Sequence, residues 1–210
     1  MPDLFTGSLD QIALADVERF LNLQGPESAR PIEGPRLDYK SDLPQDIGRD
    51  VAALANTYGG VLLVGVQTKG PQRNIPDKML GADLGPDPRA RLTDLILATV
   101  HPRPEFEIRP LKIANSSKPL AIIRVNESTF PPSEFTQGAT TSIPVRIEDS
   151  TRQATLRQIE ALLKKRDLAS TDSQQVAEKY LIASDFFCSE EATGNPDPQF
   201  HQVLRVQTQP

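Results

Sequence analysis

Six consecutive residues, Val61-Leu62-Leu63-Val64-Gly65-Val66, carry no charge and no polar alternation, and they constrain the fold more than any other stretch of the 210-residue chain. A half-exposed strand alternates apolar and polar residues, because successive side chains point to opposite faces. An unbroken apolar run this short has instead to be covered on both faces, as the central strand of a sheet with helices against it. Just upstream, Ile47, Val51, Ala52, Leu54 and Ala55 recur at helical spacing, with Asp46 at the end where the helix dipole favours an anion. That spacing predicts a helix ending at Asn56-Thr57-Tyr58, with Gly59 in the left-handed position beyond its C-terminus and a return into the central strand.

The neighbouring segments extend the pattern. Ser8 and Gln11 form a capping box ahead of Leu9, Ile12, Val17, Phe20 and Leu21, which predicts an amphipathic helix over 9–23. The proline- and glycine-rich stretch 24–35 supports neither helix nor central strand and reads as a linker or ordered loop. Leu37-Asp38-Tyr39-Lys40 alternates, giving a short strand with Leu37 and Tyr39 facing inward and Asp38 and Lys40 sharing the other face. Residues 69–88 read as one long loop, 87–100 as a helix on Leu92, Leu95, Ile96 and Val100, and 106–113 with 120–125 as a strand pair around a turn at Asn115. A strand at 142–147 and a helix opened by Thr155 and Gln158 and closed by Lys164-Lys165-Arg166 complete the order. Crossovers mixed with hairpins imply an α+β fold, a mixed β-sheet with helices packed against it. The expected organisation is an N-terminal helix and linker (1–35), a main domain (36–166) and an acidic C-terminal extension (167–210). That extension holds a short helix near Val176–Phe187 and an edge strand at Phe200–Val206, where the chain is read as truncated or as pairing with another subunit.

Composition removes several function classes. A single cysteine, Cys188, forms no internal disulfide, and with only His101 and His201 present there is no Cys/His zinc cluster. Nothing approaches the run of about 18 apolar residues that a membrane helix needs, and Met1 to Gln11 lacks a secretory leader, so no membrane partner and a cytoplasmic location are expected. There is no Trp and only 5% aromatics, which argues against rows of stacking rings for single-stranded nucleic acid. Gly81 to Gly85 carries no Gly-Lys-Ser/Thr, so it does not form a nucleotide-binding Walker loop. The net charge of −5 is unevenly spread: residues 1–35 carry −4, residues 36–166 carry +4 and residues 167–210 carry −5. A basic middle between acidic ends leaves phosphate binding open, provided that Arg73, Arg89, Arg91, Arg103, Arg109, Lys112 and Arg124 gather on one side.

Three stretches in order carry a resemblance: Leu37-Asp38-Tyr39-Lys40, Ala55-Asn56-Thr57-Tyr58-Gly59-Gly60 running into Val61–Val66, and Pro131 to Thr151 with Gly138 and Val145-Arg146. Together they resemble the Schlafen-type AlbA-like domain over about residues 33–166. The resemblance implies a nucleic-acid-binding or regulatory role, and homodimerisation, since Schlafen proteins set two such domains around one groove. Some Schlafen members cleave structured RNA with three carboxylates, and Glu33 and Asp38 stand at the five-residue spacing of the first two. Gly34-Pro35 between them would allow the chain to bend so that both carboxylates could converge. Glu27-Ser28 also matches the family's Glu-Ser start, leaving Glu27 as the alternative to Glu33. The third position falls at Gln67 or Thr68, neither of them an acid.

Three readings follow. The first is a non-enzymatic module that contacts the phosphate backbone of DNA or RNA through Lys40, Arg73, Arg103, Arg109 and Arg146, with the turn at Asn56, Gly59 and Gly60 offering amides to a phosphate. The second is a divalent-metal ribonuclease using Glu33 and Asp38, with magnesium or manganese as cofactor only in that case. The third is a protein-interaction scaffold. Each candidate residue also has a structural alternative: Lys40 as the ion-pair partner of Asp38, and Asn56, Gly59 and Gly60 as a helix-to-strand turn.

Overall fold

The apolar run becomes an inner strand of a four-stranded sheet. The computed structural model describes residues 3–70, 74–114 and 116–171. The chain divides into two units, Met1–Arg166 and Asp167–Pro210. Arg73, the turn residue Asn115, Cys188, His201 and the helix and strand expected beyond residue 172 lie outside the described residues. In chain order the first unit runs α1 (Leu14–Leu21), β1 (Leu37–Lys40), α2 (Ile47–Ala55), β2 (Gly60–Val64), β3 (Val66–Thr68), β4 (Pro76–Met79) and α3 (Pro88–Thr99). It continues through β5 (Val100–His101), β6 (Phe106–Leu111), β7 (Leu120–Val125), β8 (Glu134–Gln137), β9 (Thr140–Ser142), β10 (Pro144–Ile147) and β11 (Ser150–Gln153). A last helix, α4, begins at residue 156.

The main sheet has the order β1-β2-β7-β6, with β1 and β2 parallel and the other two pairs antiparallel. It is therefore a mixed sheet with helices packed on it, an α+β arrangement. Alternation along β2 feeds both sides: Leu62 and Val64 join α2, α3, Ile123 and Phe135 in one core layer, while Val61 and Leu63 join Leu37, Tyr39 and Ile122 in the other. All four are fully buried, each worth roughly 1.5–3 kcal/mol of apolar transfer. The second layer is completed by Leu4, Leu9, Ile12, Val17 and Leu21. The N-terminal segment thus packs against this face of the sheet.

The helix-to-strand turn forms as its glycines require. Gly59 takes φ +62° and donates its N–H to the carbonyl of Leu54 (2.9 Å), ending α2. At Gly60, also at positive φ, a Cβ would lie 2.4 Å from the carbonyl oxygen of Arg36, so the parallel pairing of β2 with β1 depends on the missing side chain.

Several local expectations change. The helix expected over 9–23 is a single 3-10 turn, Leu9–Gln11, followed by α1 from Leu14, because Asp16 Oδ2 accepts the Ala13 N–H (3.0 Å) and starts a new helix. The long loop over 69–88 contains β4, which pairs with β3 as a polar ribbon beginning at Pro76. Residues 134–153 fold into two hairpins, β8–β9 and β10–β11, where one strand was expected.

Candidate functional site

Alternation along β1 turns Asp38 and Lys40 towards α2 and the β10–β11 hairpin, and a closed polar network forms there. Lys40 Nζ bridges Asp38 Oδ2 (2.9 Å) and Asp50 Oδ2 (2.8 Å), and Thr151 Oγ1 donates to Asp50 Oδ1 (2.6 Å). Arg146 lies 3.5 Å from Asp38 Oδ1, donates to Thr151 Oγ1, and donates through Nη2 to the carbonyls of Gly34 (3.1 Å) and Leu37 (3.4 Å). Two carboxylates face two cations, so the cluster is neutral, and Asp38 and Arg146 are buried. Burial opposes the Lys40 ammonium, but Asp38 and Asp50 outweigh it and hold its pKa above the ordinary lysine value. Lys40 is thus the ion-pair partner that its spacing allowed, and the Arg146 guanidinium, 1% exposed, is spent inside the protein.

The Asn-Thr pair works as a junction. Asn56 Nδ2 donates to the carbonyls of Ser133 (2.7 Å) and Pro144 (2.8 Å), and its Oδ1 accepts the Ser133 N–H (2.6 Å). Thr57 Oγ1 donates to the Ala53 carbonyl and accepts the Arg146 N–H (3.0 Å). Both residues therefore clamp the hairpin region onto the end of α2. Gly59 and Gly60 are buried and approach the backbone of Val125 and Arg36, so this turn faces the chain's own main chain rather than a phosphate.

Glu33 lies near enough to Asp38 for the two charges to interact. A tight turn closes with the Gly34 N–H on the Leu37 carbonyl (2.9 Å), and Glu33 Oε1 reaches forward to accept the Tyr39 N–H (3.0 Å). Burial raises the pKa of Glu33 to about 7; the Asp38 charge adds to this, while the Tyr39 N–H, Lys40 and Arg146 act against it. Burial, and then the Glu33 charge, push the Tyr39 hydroxyl well above its usual range, and that hydroxyl donates to the Pro31 carbonyl. Glu33 borders an open cavity of 840 Å³ shared with Asn56, Tyr58, Arg146, Glu148 and Leu162. Three of the residues singled out from the sequence, Glu33, Asn56 and Arg146, therefore meet at one cavity.

These carboxylates do not fit a divalent cation. Asp38 and Asp50 are neutralised by Lys40 and Arg146, with the ammonium seated between the two oxygens that a metal would need. Gln67 and Thr68 do come beside Tyr39 and Lys40, around a second cavity of 540 Å³, but bring no charge. Among the described residues no three His, Cys, Asp or Glu side chains are placed to hold a metal.

The remaining basic residues are partly gathered. Arg89, braced by donating Nε and Nη2 to the Ile108 carbonyl (3.1 and 2.9 Å), approaches Asp10 Oδ1 at 3.9 Å, and Arg109 approaches the same oxygen at 3.5 Å. Lys112 is exposed one residue beyond β6. The carboxyl of Asp42 is held below its usual range first by the Leu43 and Asp83 N–H groups, then by Lys118 and Arg91. Arg103 is exposed in a small acidic hollow with Glu105 and Glu107, and Arg124 is buried against Glu107 (2.6 Å). Asp10, Asp50 and Thr151 were not foreseen from the sequence. Only Asp50 left a signal, as a charged residue beside the apolar stripe of α2.

No curated protein matches the chain. Among solved structures it is similar to the DIP2311 protein from Corynebacterium diphtheriae, with 20% identity over 67% of this chain and 30% of that one and a TM-score of 0.43. It is also similar to the N-terminal domain of a RecG-related protein from Nitrosomonas europaea, with 21% identity over 70% of this chain and 95% of that one and a TM-score of 0.44. The chain thus spans less than a third of the first of these. No helix among the described residues is long and apolar enough to cross a membrane. Residues 33–155 carry the β1 strand, the Asn-Thr-x-Gly-Gly turn, the central strand and the hairpin bearing Arg146, and they match the family model described as Schlafen, AlbA_2. That match covers more than half of the sequence, and the chain belongs to the Schlafen AlbA_2 family.

Proposed function

We propose that the chain is a nucleic-acid-binding module that grips the phosphate backbone where the first turn of α3 meets β6. The observation that carries this reading is the approach of two guanidinium groups, Arg89 and Arg109, to a single oxygen of Asp10. Two guanidiniums converging on one anionic oxygen form the geometry that a phosphate uses. The present occupant is loosely held, since the Asp10 side chain is 73% exposed and that of Arg89 61%. The carbonyl of Ile108 holds Arg89 in place before any ligand arrives. Lys112 is exposed one residue beyond β6, and Arg103 stands three residues ahead of that strand, in a hollow shared with Glu105 and Glu107. Membership of the Schlafen AlbA_2 family points the same way. Lys40 and Arg146 have no phosphate role in this proposal, because their charges are satisfied within the network of Asp38 and Asp50.

Backbone contacts of this kind give salt-dependent binding with little sequence preference. The test is fluorescence anisotropy against single-stranded and duplex DNA and RNA at several salt concentrations. The expected result is affinity that falls with salt and a log–log slope on duplex DNA that loses about 1.8 in the Arg89→Ala/Arg109→Ala double variant, two contacts at ~0.9 each. Absence of binding to all four nucleic acids at low salt, or an unchanged slope in the double variant, refutes the proposal.

A further inference from the structure

The cavity of 840 Å³ beside Glu33 is not used by the phosphate-binding face. Its walls are the Tyr58 turn, the β10–β11 hairpin and α4, with Val145 and Leu162 buried at its base. Tyr58 and Ile147 also line it and are 60% and 41% exposed, so two large side chains border the same opening above that base. The polar groups around it are unevenly satisfied. Both cations on the wall are engaged, Arg146 by Asp38 and two carbonyls and Lys165 by Glu127. Among the described residues Glu148, which is exposed, makes no ion pair, and Glu33 accepts through Oε1 alone, from the Tyr39 N–H. What the cavity offers a ligand is therefore an apolar base, the exposed ring of Tyr58, and the exposed carboxylate of Glu148, while Asp149 already accepts from Asn74 and Ser150.

We propose that this cavity docks a peptide segment of a partner protein in which lysine or arginine is flanked by apolar residues. The cation would lie between the Tyr58 ring and Glu148, where ring quadrupole and carboxylate act together, and its apolar neighbours would cover Val145, Ile147 and Leu162. Charge complementarity selects this occupant. Glu148 and Asp149 line the site as anions, with Glu33 partly ionised near neutral pH, against two cations that are already paired, which disfavours a nucleic-acid strand and an acidic peptide alike. The volume, near the upper end of the roughly 300–1,000 Å³ usual for ligand pockets, admits more than one side chain.

The test uses the full chain and a fluorescein-labelled nonapeptide of repeated Ala-Leu-Lys, with the Ala-Leu-Glu counterpart as control, near physiological ionic strength. Saturable anisotropy is expected with the lysine peptide and none with the glutamate peptide. Tyr58→Ala should weaken binding about fivefold or more and Glu148→Gln about twofold or more, as loss of a cation–π or exposed charge contact implies. Both side chains are exposed, so the thermal midpoint should stay put. Glu134→Gln, an exposed acid on β8 outside the cavity, should leave binding unchanged. Lack of saturable binding, equal binding of the glutamate peptide, or a Tyr58→Ala variant that binds like the parent overturns the proposal. A loss in Glu134→Gln as large as in Glu148→Gln overturns it too, by assigning the binding to overall acidity.

Discussion

Replacing Glu33 by glutamine separates its charge from its hydrogen bond. The amide oxygen of the variant can still accept the Tyr39 N–H, whereas the ionisation that burial opposes is gone. Folding raises the carboxyl pKa from 4.5 to about 7, so the native state holds this proton more tightly than the unfolded chain does. Below the unfolded value both states are protonated and the group costs nothing. As pH rises from 4.5 to about 7 the unfolded chain ionises freely and the native one does not, so stability falls; above about 7 the penalty is complete. That interval corresponds to about 3 kcal/mol at ~1.4 kcal/mol per pH unit, reduced to about 1–3 kcal/mol because the side chain is only partly buried and borders an open cavity. The expected result is equal stability of wild type and Glu33→Gln near pH 4 and a variant more stable by about 1–3 kcal/mol near pH 8, a rise of roughly 2–10 °C in melting temperature. Urea denaturation followed by circular dichroism at several pH values measures it. Because every other titrating group is common to both proteins, the difference curve isolates Glu33. Parallel stability curves, or a variant that is the weaker protein at alkaline pH, would refute the reasoning.

Asn56→Ala strands the Ser133 N–H and the carbonyls of Ser133 and Pro144, so a loss of about 3–5 kcal/mol is expected in denaturant titration. Lys40→Met leaves Asp38 and Asp50 facing each other without their shared cation, which should cost about 3–5 kcal/mol at neutral pH. Part of that loss should return in acid, where protonation of one carboxylate relieves the repulsion, and the Lys40→Met/Asp50→Leu double variant should be less damaged than Lys40→Met alone. Asp10→Asn frees Arg89 and Arg109 from their internal anion and should tighten nucleic-acid binding about two- to fivefold in the anisotropy assay, the range of an exposed ion pair.

How far each element could be read depended on whether its cause was local. The burial of β2, the α2 helix and the Gly59 turn follow from neighbours within a few residues, through periodicity and positive φ, and the structure forms them as the residues predict. The ribbon of β3 and β4 and the hairpins of β8, β9 and β11 were hidden because their strands are short, mostly polar and carry no apolar period. The site shows the same division. Glu33 and Asp38 were singled out only through the family resemblance, whereas Asp50 and Thr151 meet across 101 positions and Asn56 binds partners 77 and 88 residues away. Contacts at such separation are set by the topology, and no window of sequence contains them.

Charge shows why separation along the chain misleads. The N-terminal segment is acidic and the middle basic, which suggests a cationic domain with an anionic appendage. In the fold the segment is no appendage: its leucines, Ile12 and Val17 close the second core layer, and that packing carries its acids onto the basic domain. Asp10 reaches Arg89 and Arg109, and Glu27 pairs with Lys69. Apolar burial, worth several kcal/mol over the segment, therefore dictates where these weak surface ion pairs form, rather than the reverse. A polyanion that binds at this face has to displace Asp10 but need not lift the segment, because the carboxylate is exposed while the leucines beneath it are not. If the proposed phosphate binding holds, competition with the chain's own anion is confined to a side-chain movement above the buried leucines.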